Sequence, residues 1–186
     1  MKVGAGNAQI VFQEELFPLE GFCGIHDLPK VSVLVIEDMQ KVAIVSVEIV
    51  MLWDAFIERC KKKVAEITDT PIENVWIHVT HAITTPHAPG GPQIGPGGEI
   101  TGKKEDCKEA EILRKRESYE KTIAQAVKKA ADSASVLKEA ELSVGTGICD
   151  LICGRDIETP YGWWIGTDGV GESNETMTVL SFRDTE

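Results

Sequence analysis

Three of the chain's four histidines fall within one stretch, His78-Val79-Thr80-His81-Ala82-Ile83-Thr84-Thr85-Pro86-His87. An apolar, strand-like run ends there, and a loop rich in proline and glycine begins. A neutral imidazole at the end of a strand can bind a metal, and catalytic zinc commonly takes three protein ligands and a water. His81 has the best position for such a role. The spacings His78-x-x-His81 and His81-x5-His87 match no specific metal motif, and imidazoles that cap a strand or brace a loop would give the same pattern. His78 lies inside the run and reads as structural, and His26 follows the glycines of another loop.

Other residues carry chemistry more weakly. Glu48 is a carboxylate in an otherwise apolar strand, which is costly unless it is paired, hydrogen-bonded, near a metal or at an edge reaching solvent. Arg155, between Gly154 and Asp156, can offer a planar fork to a carboxylate or a developing oxyanion, or pair with its neighbour Asp156. Trp163-Trp164 can wall an apolar substrate or cover the edge of a core. Cys149 and Cys153 lack the electropositive setting of a thiolate nucleophile. No serine elbow, phosphate-binding loop or dinucleotide fingerprint occurs.

The elements that must position these residues follow from periodicity. Residues 2–12 read as a strand spaced by Gly4 and Gly6, and a glycine-rich link follows over 20–27. Val31 to Ile36 and Val42 to Val50 are β-branched runs split by Glu37-Asp38-Met39-Gln40, a hairpin whose near-continuous apolarity predicts strands covered on both faces. Asp54 can cap a helix whose apolar stripe is Ile57, Cys60, Val64 and Ile67. Thr70-Pro71-Ile72-Glu73 has the pattern of a capped turn before the strand Val75 to Thr80, which delivers His81. Pro86, Pro89, Pro92, Pro96 and six interspersed glycines keep 82–103 out of regular structure, and so long a loop is usually functional or mobile. A long helix over Lys104 to about Ser135, with Ile112, Tyr119, Ile123 and Val127 on its apolar face, precedes strands at Leu142 to Ile152 and Thr176 to Phe182. The sum is one α/β domain over 1–186, a mixed β-sheet covered by helices.

Composition bounds the function. A formal net charge of −11 disfavours nucleic acid or an anionic membrane surface as partner. Five cysteines, an odd and scattered number without a C-x-x-C pair, imply neither a disulfide framework nor a thiolate zinc site, and fit a cytoplasmic protein. No apolar run is long enough for a transmembrane segment or an export signal.

Four stretches are similar to the N-terminal part of the neutral/alkaline, non-lysosomal ceramidase family, a group with shorter bacterial relatives. They are Val3-Gly4-Ala5-Gly6-Asn7-Ala8-Gln9-Ile10, Gly24-Ile25-His26-Asp27, Val75 to His81 leading into Pro86-His87-Ala88-Pro89-Gly90, and Gly166 to Phe182 closing in Arg183-Asp184. In order and spacing they cover essentially the whole chain. The resemblance implies about half of a larger layered α/β hydrolase domain, with zinc as cofactor and an amide or lipid as small-molecule substrate. It implies that His81 is a zinc ligand, that His87 contacts substrate across a four-residue insertion at Ala82 to Thr85, and that Arg155 faces the head group or the scissile amide. Glu48 stands where the family has an aspartate, and Gly154-Arg155 where it has Asn-Arg. The family's second zinc histidine, its remaining ligands and the serine implicated in amide cleavage lie beyond the position of Glu186. Zinc catalysis needs about three protein ligands, so a C-terminal half or partner chain is expected to complete the site. The alternative is a non-catalytic subunit or partner-binding domain that keeps this fold and uses an open sheet edge.

Overall fold

The computed structural model describes residues 1–90, 109–166 and 173–185, and these divide into two compact units, Met1–Glu139 and Ala140–Glu186. The first unit is built on strands β1 (Lys2–Gln9), β2 (Lys30–Glu37), β3 (Lys41–Val47) and β4 (Val75–Val79), with helices α1 (Asp54–Thr68) and α2 (Glu109–Ala134). The strands form a mixed sheet in the order β4-β3-β2-β1, antiparallel except for the parallel pair β3–β4. Its register places Gly6 beside Val33, Val33 beside Val45 and Val45 beside Ile77, so one face collects the small and β-branched residues.

Both helices pack on that face, α2 over β1 and β2 and α1 over β3 and β4. The buried stripe of α1 is Phe56, Cys60, Val64 and Thr68, one residue round from the expected stripe at one edge; Ile57 and Ile67 are partly buried. Asp54 starts α1 without a side-chain cap, and Asp69 ends it in the left-handed conformation. Thr70 does not cap the following turn. It is buried, its hydroxyl 2.8 Å from that of Thr68, which itself donates to the Val64 carbonyl. On α2 the buried face runs from Tyr119 to Ala134, and Ile112 lies outside it. The Tyr119 ring stacks on Phe12 at 4.9 Å between centroids. Across the helix pair Glu120 accepts from Arg59 of α1 and, at 3.1 Å, from Arg116 of its own helix.

Gly4 and Gly6 serve this packing. A Cβ on Gly6 would lie 2.2 Å from the Ala130 carbonyl oxygen, and one on Gly4 2.0 Å from that of Ala134. Helix α2 therefore runs directly against the backbone of β1, which only glycine permits.

The expectation that the strands are covered on both faces does not hold. On the face away from the helices Leu34, Ile36, Val42 and Ile44 are half-buried, and Trp76 is 62% exposed. Apolarity on both sides of a strand reports what each side can bury, and the described residues of this unit supply helices for one side only.

The second unit is a ribbon of β5 (Lys138–Ile148) and β8 (Thr176–Asp184), paired antiparallel from Ala140↔Asp184 to Ile148↔Thr176, and a hairpin of β6 (Asp156–Thr159) and β7 (Gly162–Ile165). The first residues of β5, Lys138 and Glu139, belong to the first unit and pair with β1. Gly162, at φ +112°, begins β7 directly after the tight turn at Pro160-Tyr161. Trp163 and Trp164 do not cover a core edge as expected; as strand residues of this hairpin they are 70% and 68% exposed. The sequence-based loop beyond Gly90 and the expected start of the long helix fall on 91–108, outside the described residues. Among the described residues, no helix is long and apolar enough to cross a membrane.

Candidate functional site

Strands β1, β3 and β4 run in one direction, and the segments leaving their carboxyl ends gather at one edge of the sheet. Open α/β sheets bind ligands outside the carboxyl ends of their strands. Backbone bonds carry the parallel pairing past the strands, from Thr80 N–H to the Val47 carbonyl and from Ala82 N–H to that of Ile49. Val50 is then held at both ends by the segment after β4. Its N–H donates to Thr85 Oγ1 at 2.9 Å, and its carbonyl lies 3.0 Å from His81 Nδ1.

That last contact fixes which nitrogen of His81 donates. A carbonyl only accepts, so Nδ1 carries a proton, and in the neutral ring Nε2 is the nitrogen with the lone pair. A ring held in this way by a backbone carbonyl is the usual arrangement of a metal-binding histidine. His81 adopts φ 56°, the left-handed region that non-glycine residues enter rarely. The residue therefore fits a role as one zinc ligand. Among the described residues no three His, Cys, Asp or Glu side chains are grouped to hold a metal ion.

His87 is placed by Glu20. One carboxylate oxygen of Glu20 accepts from the His87 backbone N–H at 2.8 Å and lies 3.0 Å from its Nδ1. Both side chains are partly exposed. Glu20 is also left-handed, at φ 50°, in the turn closed by the Leu19–Phe22 bridge. The contact joins residues 67 apart in sequence, so nothing local pointed to Glu20. His78 lies on the helix-free face and is exposed.

Glu48, just past β3, is paired. Its Oε2 accepts from the Lys30 backbone N–H at 3.0 Å and its Oε1 lies 3.5 Å from Lys30 Nζ. Arg155 belongs to the second unit. Its Nε donates to the Gly166 carbonyl at 3.2 Å while Gly166 N–H donates back to the Arg155 carbonyl at 2.7 Å. Among the described residues the guanidinium bonds Gly166, through Nε, rather than the neighbouring Asp156. The structure thus brings Glu48, His81 and His87 to one edge of the first unit, with Arg155 in the second.

At the same edge lies a cavity of about 600 Å3 whose lining includes Phe12, Phe17, Phe22, Glu48 and Thr80. Thr80 and Ala82 line it while His81, between them, does not, because its ring is turned to Val50. The phenylalanines fall five residues apart, at 12, 17 and 22, a step that fits neither a helical nor a strand face, so the sequence carried no signal of a shared wall.

The fold has a known counterpart. A solved structure of a ceramidase complexed with C2 matches with a TM-score of 0.62 and 17% sequence identity. The match covers 99% of this chain and 29% of that one. This chain shares the fold of that part of a ceramidase. No protein-family model matches the sequence, and neither does any curated protein.

Proposed function

We propose that the chain is the N-terminal portion of a zinc-dependent, ceramidase-like amide hydrolase acting on an N-acyl or other linear amide. The observation that supports this reading is the alignment of essentially the whole chain with part of a ceramidase, together with a histidine at the carboxyl edge whose Nδ1 is held by a backbone carbonyl. Bound zinc would polarise the amide carbonyl and acidify the attacking water or hydroxyl.

This chain's own residues do the positioning. The Val50 carbonyl holds the His81 Nδ1–H and so presents Nε2 to the metal. Glu20 orients the His87 ring, which contacts substrate, and Arg155 has the role of oxyanion donor that the resemblance gives it. The other ligands come from a C-terminal half or a partner chain, since the chain spans 29% of the ceramidase it matches. Cys23, Cys60, Cys149 and Cys153 are unpaired, which fits a cytoplasmic setting and makes a small soluble amide a serious substrate option beside a lipid.

Zinc per chain, measured by elemental analysis on wild type and His81→Ala in the presence of the completing half, tests the assignment. The variant should lose its zinc; equal occupancy in both would sink it. A non-catalytic, partner-binding role is the second reading, favoured by the exposed ribbon of the second unit, where Val144, Ile148 and Val179 are uncovered. Amide cleavage by the reassembled halves, lost on Arg155→Ala, favours the enzyme. Assembly without any cleavage favours the subunit.

A further inference from the structure

Thiols are reactive groups that the proposed hydrolysis leaves unused. Cys60 is sealed in the core on α1, and Cys23, exposed in the first unit, has no second cysteine in its segment. Cys149 and Cys153 differ from both, because they share one short link in the second unit, between the end of β5 and the start of β6. Cys153 is exposed and Cys149 partly so. The chain turns at Asp150-Leu151, so Cys149 enters the turn and Cys153 is the second residue after it. A turn brings the chain on its two sides to within about 7 Å, and a disulfide spans about 4.4–6.8 Å between Cα atoms. Both ends of the link are tied. The Cys149 N–H donates to the Glu175 carbonyl at 2.8 Å, and the Arg155 carbonyl accepts from the Gly166 N–H at 2.7 Å.

We propose that Cys149 and Cys153 form a reversible redox pair, which a small-molecule disulfide such as oxidised glutathione closes into an intramolecular disulfide. The thiolate of Cys153, the more exposed of the two, attacks one sulfur of the oxidant and expels its other half as a thiolate. The Cys149 thiolate then attacks the Cys153 sulfur of the mixed disulfide and releases the second half. One disulfide is reduced to two thiols, two protein thiols are oxidised, and their two protons pass to the released thiolates. The new bond closes a ring across the turn, just before Gly154-Arg155, and so clips the end of β5 to the segment that leads into the hairpin. In a reducing compartment a bond of this kind is transient and reports the level of oxidant. It depends on neither zinc nor amide hydrolysis.

Peptide mass mapping of the full chain treated with oxidised glutathione tests it, on a Cys107→Ser background because that residue lies outside the described segments. Cys149 and Cys153 should appear in one peptide lighter by two hydrogens, free of glutathione and restored by dithiothreitol, while Cys23 carries a glutathione adduct. Cys153→Ser should leave an adduct on Cys149, and Cys149→Ser one on Cys153, at positions where serine costs the fold little. Ring closure should be at least about tenfold faster in the folded chain than in urea, since the turn raises the concentration of one thiol at the other. Separate adducts on both cysteines of the intact pair, links between chains, or equal closure rates with and without urea would overturn the proposal.

Discussion

Cys60 lies inside the core on α1, and burial, partly offset by the Arg59 guanidinium, pushes its thiol from an ordinary 9.0 up to about 11. In the unfolded chain the thiol ionises near its ordinary value, whereas in the folded chain it stays protonated until about 11. Unfolding therefore releases a proton between those limits, and stability falls as pH rises through that window. Denaturant unfolding at pH 8 and at pH 10.5 should show this loss, and Cys60→Ala should shrink it. An unchanged pH slope in the variant would show that another group carries it. Burial likewise pushes the Tyr119 phenol up, so the variant keeps some slope. Tyr119 also donates to the Pro86 carbonyl at 2.9 Å, and Tyr119→Phe should cost about 1 kcal/mol in the same measurement. At this scale the sequence was legible where a residue's role depends on near neighbours. His81 could be singled out because it ends a strand before a loop. The Val50 carbonyl that orients it, and the Glu20 that holds His87, come from distant segments with no spacing to announce them.

The elements were legible in kind because their periods are strong. Two β-branched runs split by a hairpin, the amphipathic helix that begins at Asp54 and a long alanine-rich amphipathic helix all appear in the structure, the first helix without the expected cap. What periodicity cannot supply is the identity of the neighbour across a face. Gly4 and Gly6 read as loose spacing in a strand, yet they mark the line where α2 touches the β1 backbone. Gly6→Ala should destabilise the chain by about 1–3 kcal/mol, because strand and helix must part to admit the methyl group. Gly24→Ala, with nothing within 4 Å of its added Cβ, should stay within about 0.5 kcal/mol of wild type. Comparable losses at both positions, by thermal or denaturant unfolding, would refute the close-approach reading. The same blindness to partners explains the apolar strands left open on one face, and the Trp163-Trp164 pair that reads as a core edge but stands in water.

Across the whole molecule, core and apolar surface are distributed unevenly. Among the described residues the buried hydrophobic side chains all lie in the first unit, while the ribbon and hairpin of the second present theirs to solvent. Trp76, Trp163 and Trp164 are each more than half exposed, so tryptophan emission should be red-shifted and strongly quenched by acrylamide. Blue-shifted emission that resists quenching in the isolated chain would show that another surface covers these rings. An uncovered ribbon of this kind is an open template for association, and apolar side chains held in water are what quality-control systems in a cell detect. Were a complementary surface to cover the ribbon, the chain's lifetime would follow how quickly that cover arrives as much as the strength of its own core.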